Sequence, residues 1–255
     1  MIKFFRKIRQ NLLTENKLSK YLIYAIGEIV LVVIGILIAL QINNNNSFKE
    51  QRKVEQEYLI SLQSEFETNL NKINNSIQEN DERIQALEML LTLFDKNVLD
   101  TVSQLTISKK FNSVFGNEIY YFPSTGVLSD IISSGKLNII LNKKLTQHLA
   151  SFESHLNFLN LQVIGAKETD EALRKFLYQK GSVRKIVMDL GIVDFKRQSI
   201  SEGVNNKQLF DSAEFENYIL DYLLLAKATN GSLLFGGIKS EIEIILVEIE
   251  RELKK

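Results

Sequence analysis

Residues 21–42 read YLIYAIGEIVLVVIGILIALQI, and this stretch decides what kind of chain this is. A helix that crosses a bilayer needs about 20 predominantly apolar residues. The run supplies that length and carries one carboxylate inside it, Glu28. A cleavable signal peptide has a shorter apolar core, roughly 7–15 residues, followed by small residues at the cleavage point. Here the run closes on Ala39, Leu40, Gln41 and Ile42, with no small-x-small site beyond it. The stretch therefore reads as an uncleaved signal anchor rather than as a core helix.

The flanks set an orientation. Lys3, Arg6, Lys7, Arg9, Lys17 and Lys20 precede the run, whereas only Lys49, Arg52 and Lys53 stand in the 20 residues after it. Lys/Arg-rich flanks stay in the cytoplasm. The N-terminus is expected inside an inner (cytoplasmic) membrane, with everything after residue 42 outside, in the periplasm of a Gram-negative cell. In residues 1–20 the apolar Ile2, Phe4, Phe5, Ile8, Leu12 and Leu13 interleave with the basic side chains. That pattern suits a helix on the membrane surface, with Lys3, Arg6, Lys7 and Arg9 among anionic headgroups; a solvated basic tail is the alternative.

Glu28, Gly35 and Ala39 share a face of the run, because a helix drifts only about 20° per heptad. An ionisable group inside a membrane span is costly and marks a functional position, and small residues four apart let helix backbones approach closely. The three are expected to contact a second copy of the chain or another membrane protein; the alternative is a Glu28 that reaches toward the headgroups.

Beyond the anchor, 25 basic and 29 acidic residues remain, so no electrostatic footprint for nucleic acid exists. Cysteine is absent and Pro123 is the single proline. Thiolate chemistry and disulfides are thereby excluded, and few proline interruptions favour long helices. Residues 43–47, NNNNS, read as a polar exit from the membrane, with a helix over about residues 48–98. Its seam is Leu59, Phe66, Ile73, Asn80, Leu87 and Phe94, with Leu62, Leu70, Ile77, Ile84, Leu91 and Val98 as the companion row. This is the three–four spacing of bundles and coiled coils. Residues 99–122 are mixed. Ser124 reads as an N-cap and Gly135 as a stop. Further long helices are expected over about residues 142–179 and from Ser212 toward Lys255, kinked at Gly231, Gly236 and Gly237.

The opening, MIKFFRKIRQNLLTENKLSKYLIYAIGEIVLVVIGILIALQINN, and residues 128–139, LSDIISSGKLNI, resemble a Bacteroidota family of single-pass membrane proteins of unknown function (domain of unknown function number 6090). The resemblance covers about a fifth of the chain. It implies a membrane anchor and a helical exported domain, and no activity. Members usually carry Trp after the two asparagines that close the anchor, where this chain has Asn45; the vertical position of the anchor is correspondingly less fixed.

Signals for chemistry are sparse. His148 and His155 lie seven apart, not the four of a helical zinc pair. No nucleophile elbow, Walker loop or dinucleotide fingerprint occurs. Tyr120, Tyr121 and Phe122 either line a ligand pocket or pack a turn onto the core. The fold class is therefore all-α, organised as a basic segment (1–20), a signal anchor (21–42) and an exported antiparallel helical bundle (43–255). The expected partners are the lipid bilayer and a protein, with no nucleic acid and no cofactor. The expected role is a membrane-anchored interaction or scaffold protein without catalysis; the alternative is a sensory module for an unknown small molecule.

Overall fold

A computed structural model describes residues 18–200 and 203–254, in which eight α-helices and no strands occur. The basic positions Lys3, Arg6, Lys7 and Arg9 lie outside the described residues. The chain divides into two compact units, Met1–Glu57 and Tyr58–Lys255.

The first helix, α1 (Leu18–Thr92), contributes to both. It runs without interruption through residues 43–47, where the sequence suggested an exit and a restart near residue 48. Asparagine costs a helix at most about 0.7 kcal/mol per residue, whereas ending and restarting one requires a second unfavourable nucleation. Continuation is the cheaper solution. The helix also stops earlier than residue 98: Asp95 caps a separate short helix, α2 (Lys96–Thr101), by accepting from the backbone N–H of Asn97.

The second unit is built on three rods. The first is α1 from Tyr58 onward. The second is α5 (Lys143–Lys180), whose start is capped by Asn142, the oxygen accepting from Lys144 and Leu145 N–H. The third is α7 (Ala213–Asn230), capped by Ser212, followed by α8 (Phe235–Leu253). Aromatic contacts give the directions. Phe66 meets Phe152 with ring centroids 5.1 Å apart, and Phe94 and Phe176 both meet Phe215, at 6.2 and 5.4 Å. The first two rods are therefore parallel. The third runs against both, since Asn80 pairs with Asn230, Asn142 with Glu248, and Thr169 with Asp221.

A crossover joins the two parallel rods. It contains α3 (Gln104–Phe115), capped by Ser103, α4 (Gly126–Ser133), and a 3-10 turn at Lys136–Ile139. The stretch read as mixed thus holds a helix, which buries Ile107, Phe111 and Val114 at four and three spacing. Gly135 ends α4 in the left-handed region, φ 69°, as its position suggested. A short α6 (Val183–Asp189) follows α5.

The expected single last helix is two helices in tandem along one line. Gly237 explains the break. A Cβ there would sit 2.4 Å from the carbonyl oxygen of Ser232, so the chain can turn back into α8 only where no side chain intervenes. The apolar positions on either side, Phe215, Ile219, Tyr222, Ile238, Ile242, Ile245 and Ile249, are all buried.

Two glycine substitutions should move stability in opposite directions. Gly237→Ala overpacks the joint and should cost about 1–3 kcal/mol. Gly165→Ala, inside α5 with open space around it, should stabilise by about 0.4–1 kcal/mol. Urea unfolding of both variants checks the pair; equal effects would refute the account of the joint.

Candidate functional site

Two places carry groups that simple packing does not require. The first is the apolar sleeve of α1. A window within it has mean hydropathy 2.6 and none of it is buried inside the molecule. Leu31 and Leu37 expose 68% and 58% of their surface, a degree of apolar exposure that a water-soluble chain avoids. It is one helix long and apolar enough to cross a membrane, near the N-terminus. Gly35 and Ala39 are exposed and Glu28 half-exposed on this helix. A Cβ added at Gly35 would meet nothing within 4 Å, so the helix surface is open at that residue.

The second place is the seam of α1 in the bundle. Leu59, Phe66, Ile73, Asn80 and Leu87 are buried as the heptad spacing requires. The companion row differs from the apolar one read in the sequence. Leu70, Ile77, Ile84 and Leu91 are only partly buried, and the fully buried row is Leu62, Asn69, Arg83 and Leu90, with Glu65 beside it. A search for apolar periodicity passes over this row because its middle members are polar.

These polar groups serve the crossover. Arg83, 1% exposed, donates from Nε to the Val114 carbonyl at 3.3 Å, from Nη2 to the Asn117 carbonyl at 2.5 Å, and from Nη1 to Asn80 Oδ1 at 3.0 Å. Asn69 grips the backbone of Ser124 twice, donating to its carbonyl and accepting from its N–H, each at 2.7 Å. Glu65 accepts from Val127 and Leu128 N–H at 2.7 and 3.1 Å. It caps α4 in place of the expected Ser124; Thr125, at the cap position, makes no side-chain cap bond. A carboxylate at a helix start meets free N–H groups and the positive end of the dipole. Asn80 also reaches the Ala226 carbonyl at 2.7 Å, so it ties the seam to the end of α7.

Beside this seam the 118–125 segment borders two cavities. One, about 240 Å³, is lined by Tyr121, Pro123, Leu128 and Asn157, and the other, about 150 Å³, by Tyr120, Phe122, Lys167, Asp170 and Tyr222. Asn160 faces both. Of the three aromatics, Tyr121 is buried and meets Phe235, while Tyr120 and Phe122 form an exposed pair with centroids 5.1 Å apart. Burial raises the pKa of the Tyr121 and Tyr222 hydroxyls well above the ordinary phenol value, so both remain neutral. Tyr222 lies beside Asp170, which accepts from Arg174 Nε at 2.5 Å. Tyr121 is packed onto the core and also borders both cavities, while Tyr120 and Phe122 border one from the exposed side.

The histidines stand apart from these cavities. His148 pairs with Glu241 at 2.7 Å and His155 is exposed. No group of three His, Asp or Glu side chains that could hold a metal ion occurs among the described residues.

Residues 28–162 match a family of unknown function (DUF6090). The chain belongs to this family. No curated protein and no solved structure matches the chain. The region shared with DUF6090 runs from Glu28 through the polar seam, α4 and the first half of α5. It contains Glu65, Asn69, Asn80, Arg83 and the Tyr121 segment, and ends before Asp170 and Tyr222.

Removing the Arg83 guanidinium leaves two buried acceptors, the Val114 carbonyl and Asn80 Oδ1, without this donor, and each such group costs about 1–3 kcal/mol. Arg83→Ala should therefore lower stability by about 3 kcal/mol or more, with Arg83→Lys recovering only part of it. Denaturant unfolding checks this; a loss below about 1 kcal/mol would refute the role of the seam.

Glu248 gives a pH test. Hydrogen bonds from Lys144 and Asn142 hold its carboxyl below the ordinary glutamate value. A depressed folded pKa contributes stability above the unfolded value of about 4.3 and loses it as pH falls through the folded pKa. The stability advantage over Glu248→Gln should be constant near neutrality and vanish in that acid window. An advantage that persists in full below it would refute the assignment.

Proposed function

We propose that this DUF6090 chain is a single-pass protein of the cytoplasmic membrane, N-terminus inside, that holds its helical bundle on the far side and acts by helix–helix contact as an interaction or scaffold protein. The observation that carries the reading is the apolar sleeve of α1, none of whose most apolar window is buried among the described residues. The basic excess before the sleeve supports the orientation. The stripe of Glu28, Gly35 and Ala39 supports a contact within the bilayer, because small residues allow close approach and a carboxylate there gains from a hydrogen-bonding neighbour. The partner is a second copy or another membrane protein. The role needs no catalysis and no cofactor.

The chain has no cysteine, so single cysteines report topology cleanly. Ser47→Cys should react with an impermeant maleimide added to spheroplasts, and Ser19→Cys only after lysis. The reverse pattern, or release of the protein from membranes by alkaline carbonate, overturns the reading. A photo-crosslinking residue at Gly35 should give an adduct with itself or a second membrane protein, and Glu28→Leu should reduce its yield. Unchanged oligomeric state and partner recovery in Glu28→Leu would remove the stripe from the proposal.

A second reading, an extracytoplasmic sensory module signalling through a partner, is favoured by one observation: the mixed polar and aromatic cavities at Tyr121 and Asn160, beside the second rod of the bundle. Native mass spectrometry of the detergent-extracted protein tests it by looking for a bound small molecule that Asn160→Leu loses.

A further inference from the structure

A third cavity, about 540 Å³, lies away from those just described, between α6 and the segment that follows it. Gly191, φ 67°, ends α6 in the left-handed region, with Gly191 N–H on the Met188 carbonyl and Ile192 N–H on that of Val187. That reversal brings residues 195–199 back over the helix, and Phe195 takes the Arg184 guanidinium at 4.0 Å from its ring centre. Four cations line the space: Arg184, Lys185, Lys196 and Arg197.

Their partners are unequal. Lys185 is neutralised by Asp189 at 3.1 Å, and Asp189 also accepts from Ser108 at 2.7 Å. Arg184, Lys196 and Arg197 form no ion pair among the described residues. Arg184 donates from Nη2 to the Arg197 carbonyl, yet its Nε–H is buried and meets no acceptor. A buried donor without an acceptor costs about 1–3 kcal/mol, more when charged, and native proteins rarely leave one so. Two exposed cations, Lys196 and Arg197, beside the unsatisfied N–H of the Arg184 guanidinium make this a place where an anion gains contacts.

We propose that this cavity binds a phosphorylated compound, with the phosphate held by Arg184, Lys196 and Arg197. Guanidinium forks suit phosphate oxygens. The volume falls within the range of about 300–1,000 Å³ typical of small-molecule sites, which leaves room for more than the phosphate itself, and Phe195 and Met188 offer apolar wall to the remainder. The same chemistry is presented by a free phosphate ester and by a lipid phosphate headgroup. The proposal does not rest on the helix-contact reading, since it concerns a different face and different residues.

The test uses the full chain carrying Gln198→Cys, a rim position in a chain without other cysteines. Maleimide labelling is followed with inorganic phosphate or glycerol phosphate in neutral detergent, and separately in nanodiscs of phosphatidylcholine with or without phosphatidic acid. Occupancy should slow labelling several-fold. Lys196→Gln with Arg197→Gln should weaken the protecting concentration by about tenfold or more, the loss expected for charge-assisted contacts. Arg184→Met should do the same; if it misfolds by circular dichroism, the exposed double variant still decides. Protection by soluble phosphates identifies a free ester, and protection only by phosphatidic acid identifies a lipid headgroup. No protection by any probe, or equal protection in the double variant, overturns the proposal.

Discussion

An irregular segment buried inside a helical bundle must find partners for its backbone, because an unpaired buried N–H or C=O costs as much as several apolar contacts supply. The crossover of this protein sets part of its irregular backbone in that position against α1, although Tyr120 and Phe122 stay exposed. The carbonyls of Val114, Asn117 and Ser124, and the N–H groups of Ser124, Val127 and Leu128, are answered by one helix face carrying Glu65, Asn69 and Arg83. That requirement explains why a core row is polar. It also explains why α4 needs no cap of its own. The rods pack by ordinary hydrophobic burial, but the crossover sits where it does because three side chains of α1 reach it.

Legibility in the sequence follows from this. The long helices announce themselves. The Leu59–Phe66–Ile73–Leu87 spacing, the helix starts near Asn142 and Ser212 and the stop at Gly135 are local signals, and each is realised. The family resemblance of the opening and of residues 128–139 is legible as well, and the match over residues 28–162 agrees with it. What was not legible depends on contacts distant in sequence. Asn69 and Arg83 look like solvated residues until the segment 31 to 55 positions away is in place. Leu70 and Ile84 look like core for the same reason. The glycines at 231, 236 and 237 signalled a disturbance in the last rod, but the break depends on a carbonyl contact that composition does not reveal. The basic cavity was invisible because Arg184 and Arg197 are brought together by a glycine reversal between them.

The functional positions divide by the same criterion. The apolar sleeve and the row of Glu28, Gly35 and Ala39 are properties of one helix and can be read along it. The cavities at Tyr121 and at Arg184 are properties of chain reversals, and only the fold assembles them. The family match covers the apolar sleeve from Glu28 onward, the seam and the Tyr121 segment but stops before Arg184, so the basic cavity belongs to the part of the chain outside the shared region.

The parallel arrangement of the first two rods has a consequence for biogenesis. Parallel neighbours cannot zip up from a tight turn as a hairpin does. Closure waits for the third rod: Asn80 meets Ala226 across 146 residues of chain. Such long-range pairing is slow, since the loop entropy is lost before the contact forms. A ribosome adding residues from the N-terminus completes the apolar sleeve first and the closing rod last. For most of its synthesis the nascent polypeptide therefore presents a finished apolar sleeve and an unfinished bundle, with Arg83 and Asn80 still in water.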